Sequence, residues 1–177
     1  MSNTQAPLPP QEQIDEILHV NPFAEQQTIG SMLIEPDRIR EVKDWLHPQH
    51  FATGFNRQIY TAILDLVQKM QPVDVITVQA RLSEIGYSVA PNMFFFFIEN
   101  TPTGLYLAHY AGIVLRLAEK RALNLAAQQI IAITQEDITP LEMKDKAINL
   151  VASAVTNRAD AGWTTLGDAV SRALTNL

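Results

Sequence analysis

The sequence predicts an all-α protein: a small globular helical head, then a long antiparallel helical hairpin, then a short C-terminal linker helix. Three observations carry this. Apolar residues recur at helical spacing, with Phe55, Ile59, Ile63, Leu66 and Met70 at steps of 4, 4, 3 and 4. Proline punctuates the chain up to Pro102 and then not again until Pro140, which leaves room for one long helix. The single β-branched cluster, Val73 to Val78, could form a strand, but no partner strand with a turn signal lies nearby, so helix is preferred.

Each element has its own signal. Residues 1–20 read as a flexible acidic tail, polar and holding Pro7, Pro9 and Pro10, without the apolar run of a signal peptide. Asn21-Pro22 has the form of an N-cap followed by proline at the first helical position. The helix it opens carries Ile29, Met32 and Leu33 and stops near Glu35-Pro36. Pro36 begins a second short helix, with Ile39, Val42 and Leu46 on one face, which His47-Pro48 ends. The Phe55–Met70 stripe makes the third, and Asp74 caps the fourth, which carries Val78, Leu82 and Ile85 before Gly86 breaks it. Phe94 to Phe97 are four consecutive aromatics, too short a run for periodicity to classify. They plug the head core, or one or two of them stay outside as a partner-binding patch.

From Gly104 to Thr134 the pattern is one helix, some 30 residues and roughly 45 Å long. Ala111, Leu115, Ala118, Ala122 and Leu125 form one stripe, and Leu107, Tyr110, Val114 and Leu117 a second on a neighbouring face. The next start signal is complete: Thr139 as cap, Pro140 at the first position, Glu142 as capping-box acid, and Ile138 with Met143 as hydrophobic staple. That helix runs to about Asn157 with Ala147, Val151 and Ala154 on one face, and the short connection makes the pair an αα-hairpin. A hairpin with apolar surface on several faces either folds back on the head or pairs with a second copy of itself. The assigned self-association residues are Leu115, Ala118, Ala122, Leu125, Ala147, Val151 and Ala154. Residues 158–177 form a linker and a docking helix with Leu166, Val170 and Leu174 on one face. So short a helix is marginal alone and needs a receptor, in a further domain or a neighbouring subunit.

Charge and composition exclude several classes of function. Of 19 acidic residues, Glu12, Asp15, Glu16, Glu25, Glu35 and Asp37 precede the first basic residue, Arg38, and the other 13 are balanced by 13 Lys and Arg. The formal charge of −6 therefore belongs to the first 37 residues, and a balanced body suits protein contacts better than coating of nucleic acid. Absence of Cys removes disulfides, Cys-ligated metal and thiol nucleophiles. No Gly-Lys dipeptide occurs, hence no phosphate-cradling GxxxxGK[ST] loop, and no GxSxG elbow. His47-Pro-Gln-His50 has ligand-like spacing, but its proline spoils a helical pair and surface or capping histidines are the plainer reading. The chain is expected to be non-catalytic, with no catalytic, cofactor or metal residues, and cytoplasmic.

Four blocks, in order, resemble the N-terminal domain of DnaB-type bacterial replicative DNA helicases. Asn21-Pro-Phe-Ala-Glu-Gln-Gln-Thr-Ile-Gly-Ser-Met-Leu-Ile34 resembles the family's opening motif, and Phe51 through Arg57-Gln-Ile-Tyr60 its Asp-Phe-Tyr…His-Arg-x-Ile-Phe/Tyr segment. Pro72-Val-Asp-Val-Ile-Thr-Val78 is similar to its Pro-Ile-Asp-Leu-Ile-Thr-Leu. Glu99-Asn-Thr-Pro-Thr103 with Tyr110-Ala-Gly-Ile-Val114 is similar to its Asn-Thr-Pro-Ser…Tyr-Ala-x-Ile-Val. The chain departs from the pattern at Ala90-Pro-Asn-Met and at Gly104-Leu-Tyr-Leu, both of which affect local turns.

The resemblance implies a head at residues 21–103, a dimerising hairpin at 104–157, and three dimers forming a collar on a hexameric ring. It implies a linker helix that docks on the ATPase domain of a neighbouring subunit, with primase and a helicase loader as partners. Single-stranded DNA would be met only through the assembled ring, and ATP and Mg would belong to the ATPase domain beyond this chain. Two alternatives compete. One is a free-standing plasmid or phage replication factor of the same fold that regulates a host helicase. The other is a helical DNA-binding module using Arg38, Arg40 and Lys43.

Overall fold

The computed structural model describes residues 18–155, all α-helix, 3-10 turn and loop, without strands among them. The greater part of the tail assigned to residues 1–20 and the whole linker, with Leu166, Val170 and Leu174, lie outside the described residues. In chain order the α-helices are α1 (Pro22–Ile34), α2 (Gly54–Gln68), α3 (Val75–Glu84), α4 (Pro91–Glu99), α5 (Leu107–Ile133) and α6 (Pro140–Val155). Helices α1 to α4 and the first half of α5 make the head; the second half of α5 and α6 make the hairpin.

Local signals account for most boundaries. Asn21 Oδ1 accepts the Ala24 N–H at 2.8 Å, with Pro22 next in line, so α1 starts as its sequence requires. Asp74 and Thr77 close a reciprocal capping box at α3, which settles Val73–Val78 in favour of helix. At α6, Thr139 Oγ1 accepts from the Glu142 N–H (3.3 Å) while a Glu142 carboxylate oxygen accepts from the Thr139 N–H (3.0 Å).

Two expectations are corrected. The segment expected to be a second short helix is a 3-10 turn, Pro36–Glu41, followed by further turns, although Ile39, Val42 and Leu46 are buried as expected. A short stretch between two prolines that buries only every third or fourth side chain can close the tighter turn without a full α-helix. Met70 was expected on the α2 core stripe but is 93% exposed, because α2 ends at Gln68. There Met70 adopts φ 54°, the Gln71 N–H bonds to Leu66 O (2.9 Å) and the Met70 N–H to Val67 O (3.0 Å), which is a Schellman cap. The same cap closes α3, where Gly86 sits at φ 87° and the Tyr87 N–H reaches Leu82 O at 2.8 Å. A methionine holds this left-handed position at a cost that glycine avoids. Met70→Gly is therefore expected to raise stability by roughly 0.5–1 kcal/mol, read by thermal unfolding, with strain relief exceeding the added freedom of the unfolded chain.

Helix α1 is the centre of the head. It buries Ile29, Met32 and Leu33 together with polar Glu25, Gln27, Thr28 and Ser31. Thr28 Oγ1 donates to Ala24 O, and Gln27 Nε2 to Asn100 O at 2.7 Å, while Gln27 Oε1 is buried with no hydrogen-bond partner among the described residues. The same core holds Phe51, Ile59, Tyr60 and Ile63 of the α2 region, Leu82 of α3, and Phe94 and Phe97 of α4. The four-phenylalanine run divides between both readings: Phe94 and Phe97 are buried, whereas Phe95 and Phe96 are half exposed, as a helix with one face on the core dictates.

Candidate assembly surface

Helix α5 changes neighbours along its length. Its first half buries Leu107, Ala111, Val114 and Ala118 against the head; beyond Arg121 only Ala126 and Ile133 are buried. The observed buried line takes members from both expected stripes, because a straight helix brings one line to the head and the other falls beside it. Helix α6 runs back along α5: Ala154 shares a cleft of about 240 Å³ with Ala118, Ala122 and Leu125, and Leu150 and Ser153 border another with Gln129 and Ile133. Near the tip Lys146 pairs with Glu136 at 2.6 Å, an exposed bridge of small energetic weight.

The residues assigned to self-association are spread over three environments. Ala118 is already buried by its own chain. Leu115, Ala122, Ala147 and Ala154 are half covered, and Ala122 and Ala154 border the cleft at the hairpin root. Leu125 (56%) and Val151 (38%) keep accessible apolar surface. The structure brings Ala118, Ala122, Leu125 and Ala154 together around the cleft and leaves Leu115, Ala147 and Val151 elsewhere. Sequence reasoning missed further exposed apolar residues, Leu123 and Ile131 on α5 and Leu141 and Ile148 on α6. On α6 the signal was present: Leu141, Ile148 and Val151 are spaced 7 and 3 apart, a seam of coiled-coil type overlooked beside the alanine stripe.

A polar junction joins the hairpin root to the head. Buried Glu25 accepts the Ala52 N–H (2.6 Å), the Thr53 N–H (3.2 Å) and the Asn56 side-chain amide (2.9 Å), tying α1 to the start of α2. Arg57 donates to Phe51 O at 2.9 Å. Arg121, from α5, donates to His19 O at 2.7 Å and to His50 O. Burial lowers the Arg121 pKa from its ordinary value; the Glu25 carboxylate opposes that and neighbouring Arg57 adds to it.

His50 is a capping residue, in accord with the plainer reading of the His47–His50 pair. Its Nδ1 accepts the His47 N–H at 3.0 Å, and its buried Nε2 has no hydrogen-bond partner among the described residues. Burial, then the charges of His47 and Arg121, push its pKa down to about 4 from 6.5. Between those values the unfolded chain holds a proton at His50 that the folded chain does not, so stability rises with pH across the window and is lost as pH falls through it. The loss attributable to His50 is bounded by roughly 3 kcal/mol. Urea unfolding from pH 7 to pH 4 is expected to show a shallower pH slope in His50→Asn, which can still accept from His47.

The basic group on the 3-10 turn is largely engaged. Arg38 is held by Glu35 (2.6 Å) and Glu41 (2.9 Å), and Lys43 by Asp44 (2.6 Å). No group of His, Asp and Glu suited to a metal ion occurs among the described residues, and no helix there is long and apolar enough to cross a membrane.

With this geometry in view, comparison with known proteins gives one family. A model described as the DnaB-like helicase N terminal domain matches residues 18–116. The replicative DNA helicase DnaB of Mycobacterium leprae is 32% identical over 128 residues, covering 70% of this chain and 21% of that protein. The same-named helicase of Leifsonia xyli is 30% identical over 116 residues, 64% of this chain and 25% of that protein. The chain thus spans about a fifth to a quarter of the length of these relatives. Among solved structures, the N-terminal domain of DnaB helicase from Mycobacterium tuberculosis superposes with a TM-score of 0.71 at 29% identity, over 75% of this chain and 96% of that one. A DnaB-like replicative helicase, described with its interactions with primase, superposes with a TM-score of 0.66 at 25% identity, over 89% of this chain and 36% of that one.

Proposed function

Because the chain belongs to the DnaB-like helicase N-terminal domain family, we propose that it is the assembly and partner-recruiting domain of a hexameric replicative DNA helicase. It takes no catalytic step itself. Residues 21–103 are the head, 104–157 the dimerising hairpin, the first half of whose leading helix is packed into that head, and 158–177 the linker with its docking helix. The observation that carries this reading is the hairpin's uncovered apolar surface. Leu125, Leu141, Ile148 and Val151, on two helices, keep between 38% and 69% of their surface accessible, where a lone hairpin would carry polar side chains. A second hairpin covers that surface, and three such dimers make a collar.

The linker helix, through Leu166, Val170 and Leu174, docks on the ATPase domain of a neighbouring subunit, which holds ATP and Mg. The collar recruits primase, a reading supported by the solved relative described with its primase interactions. A loader acts at the same ring, and single-stranded DNA meets the ring as a whole. This work is cytoplasmic. Isothermal titration of the chain with primase from the same genome tests recruitment. Saturable binding is expected, and no heat at high concentration from a folded, self-associated chain would contradict it.

A further inference from the structure

The hairpin root differs from the rest of the α5 contact surface. Up to Ala118 the helix is seated on apolar core residues. At the next turn the packing thins: Ala118, Ala122 and Ala154 are small, and the cleft they border with His50 and Arg121 has a volume of about 240 Å³. What spans this gap is Arg121. Its fork reaches two carbonyls from separate parts of the head, His19 before α1 and His50 before α2. On the far side of that turn Arg57 holds the next carbonyl, Phe51 O, so guanidiniums from two helices clamp consecutive peptide groups. The two cations repel each other, and the charge of buried Glu25 favours the Arg121 guanidinium.

We infer that Arg121 is a pin that holds the free half of the hairpin at one angle to the head, across a joint with room to bend. Apolar packing fixes the first half of α5, and beyond Arg121 that helix buries only Ala126 and Ile133. A change of angle therefore bends α5 beside the cleft, and the two Arg121 hydrogen bonds are what such a bend must break. In an assembled collar this would set how far each head leans from its hairpin. The pin acts within one chain and does not depend on self-association.

The chain has no cysteine, so two can be introduced as unique spin-label sites. One pair, Gln68→Cys with Gln128→Cys, spans head and hairpin; a control pair, Gln68→Cys with Ala108→Cys, lies within the head, and all three sites are exposed. With labelled chain diluted in excess unlabelled chain, the spanning pair is expected to give one narrow distance distribution. Arg121→Met, which keeps the stem but not the fork, is expected to lose that narrow distribution while the control pair keeps its own. Should Arg121→Met fail to fold, Arg121→Lys is read in the same way. A spanning distribution as narrow as in the parent would overturn the inference, and so would equal broadening in the control pair, which would make Arg121 a prop of the head alone.

Discussion

Replacing Glu25 by alanine is expected to remove a large part of the stability of the domain. Three donors converge on this carboxylate: the Ala52 and Thr53 N–H groups and the Asn56 amide. Glu25 is 2% exposed, so water cannot take the place of the lost oxygens. Each buried donor left without a partner costs about 1–3 kcal/mol. Arg121 would also lose the nearby anion that favours its charged form. Removing one side of such a buried arrangement costs about 3–5 kcal/mol, against a total near 5–15 kcal/mol for a domain of this kind. Urea unfolding of Glu25→Ala should show a much lower midpoint with the slope unchanged, since the surface exposed on unfolding is the same. Glu25→Gln keeps the volume and one acceptor, and should fall between the two.

Gly30→Ala carries the second large effect, for a steric reason. Gly30 lies where α1 crosses the end of α4, and a Cβ there would stand 2.1 Å from Thr101 Oγ1 and 2.6 Å from the backbone oxygen of Phe97. The hydroxyl could rotate; the backbone oxygen belongs to a helix pinned by buried Phe94 and Phe97. Overpacking of this kind costs about 1–3 kcal/mol, and here the upper end is expected because Thr101 Oγ1 also donates to Phe97 O at 2.7 Å. Thermal unfolding of Gly30→Ala beside Gly112→Ala, whose Cβ would meet nothing within 4 Å, separates the clash from the change in helix propensity.

What could be read from the sequence follows what is local. Caps at Asn21, Asp74 and Thr139 act within one turn of their own residues, and each element they announce is present. The α2 stripe was legible because one face is apolar and the other is not, whereas α1 was legible only in part. Its buried Glu25, Gln27, Thr28 and Ser31 interrupt any hydrophobic period, and their partners lie as far off as Asn100 and Thr103. Arg121 bonds to carbonyls 71 and 102 residues away, which no spacing rule reaches. In the candidate surface, alanines that line the cleft between α5 and α6 and leucines left outside share one helical period. Sequence alone therefore could not separate the hairpin's internal seam from its outer face.

Sedimentation velocity over a wide concentration range, on the chain and on Leu125→Asp with Val151→Asp, tests the proposed assembly role most directly. Both residues keep accessible apolar surface, and a carboxylate at each would have to be desolvated in a hairpin–hairpin contact. The chain should form dimers or larger species, and the double variant should lose at least about 100-fold in association, roughly 2.7 kcal/mol, with its helical circular dichroism intact. A parent chain that stays monomeric at the highest concentration, or a folded double variant that associates as the parent does, would contradict it.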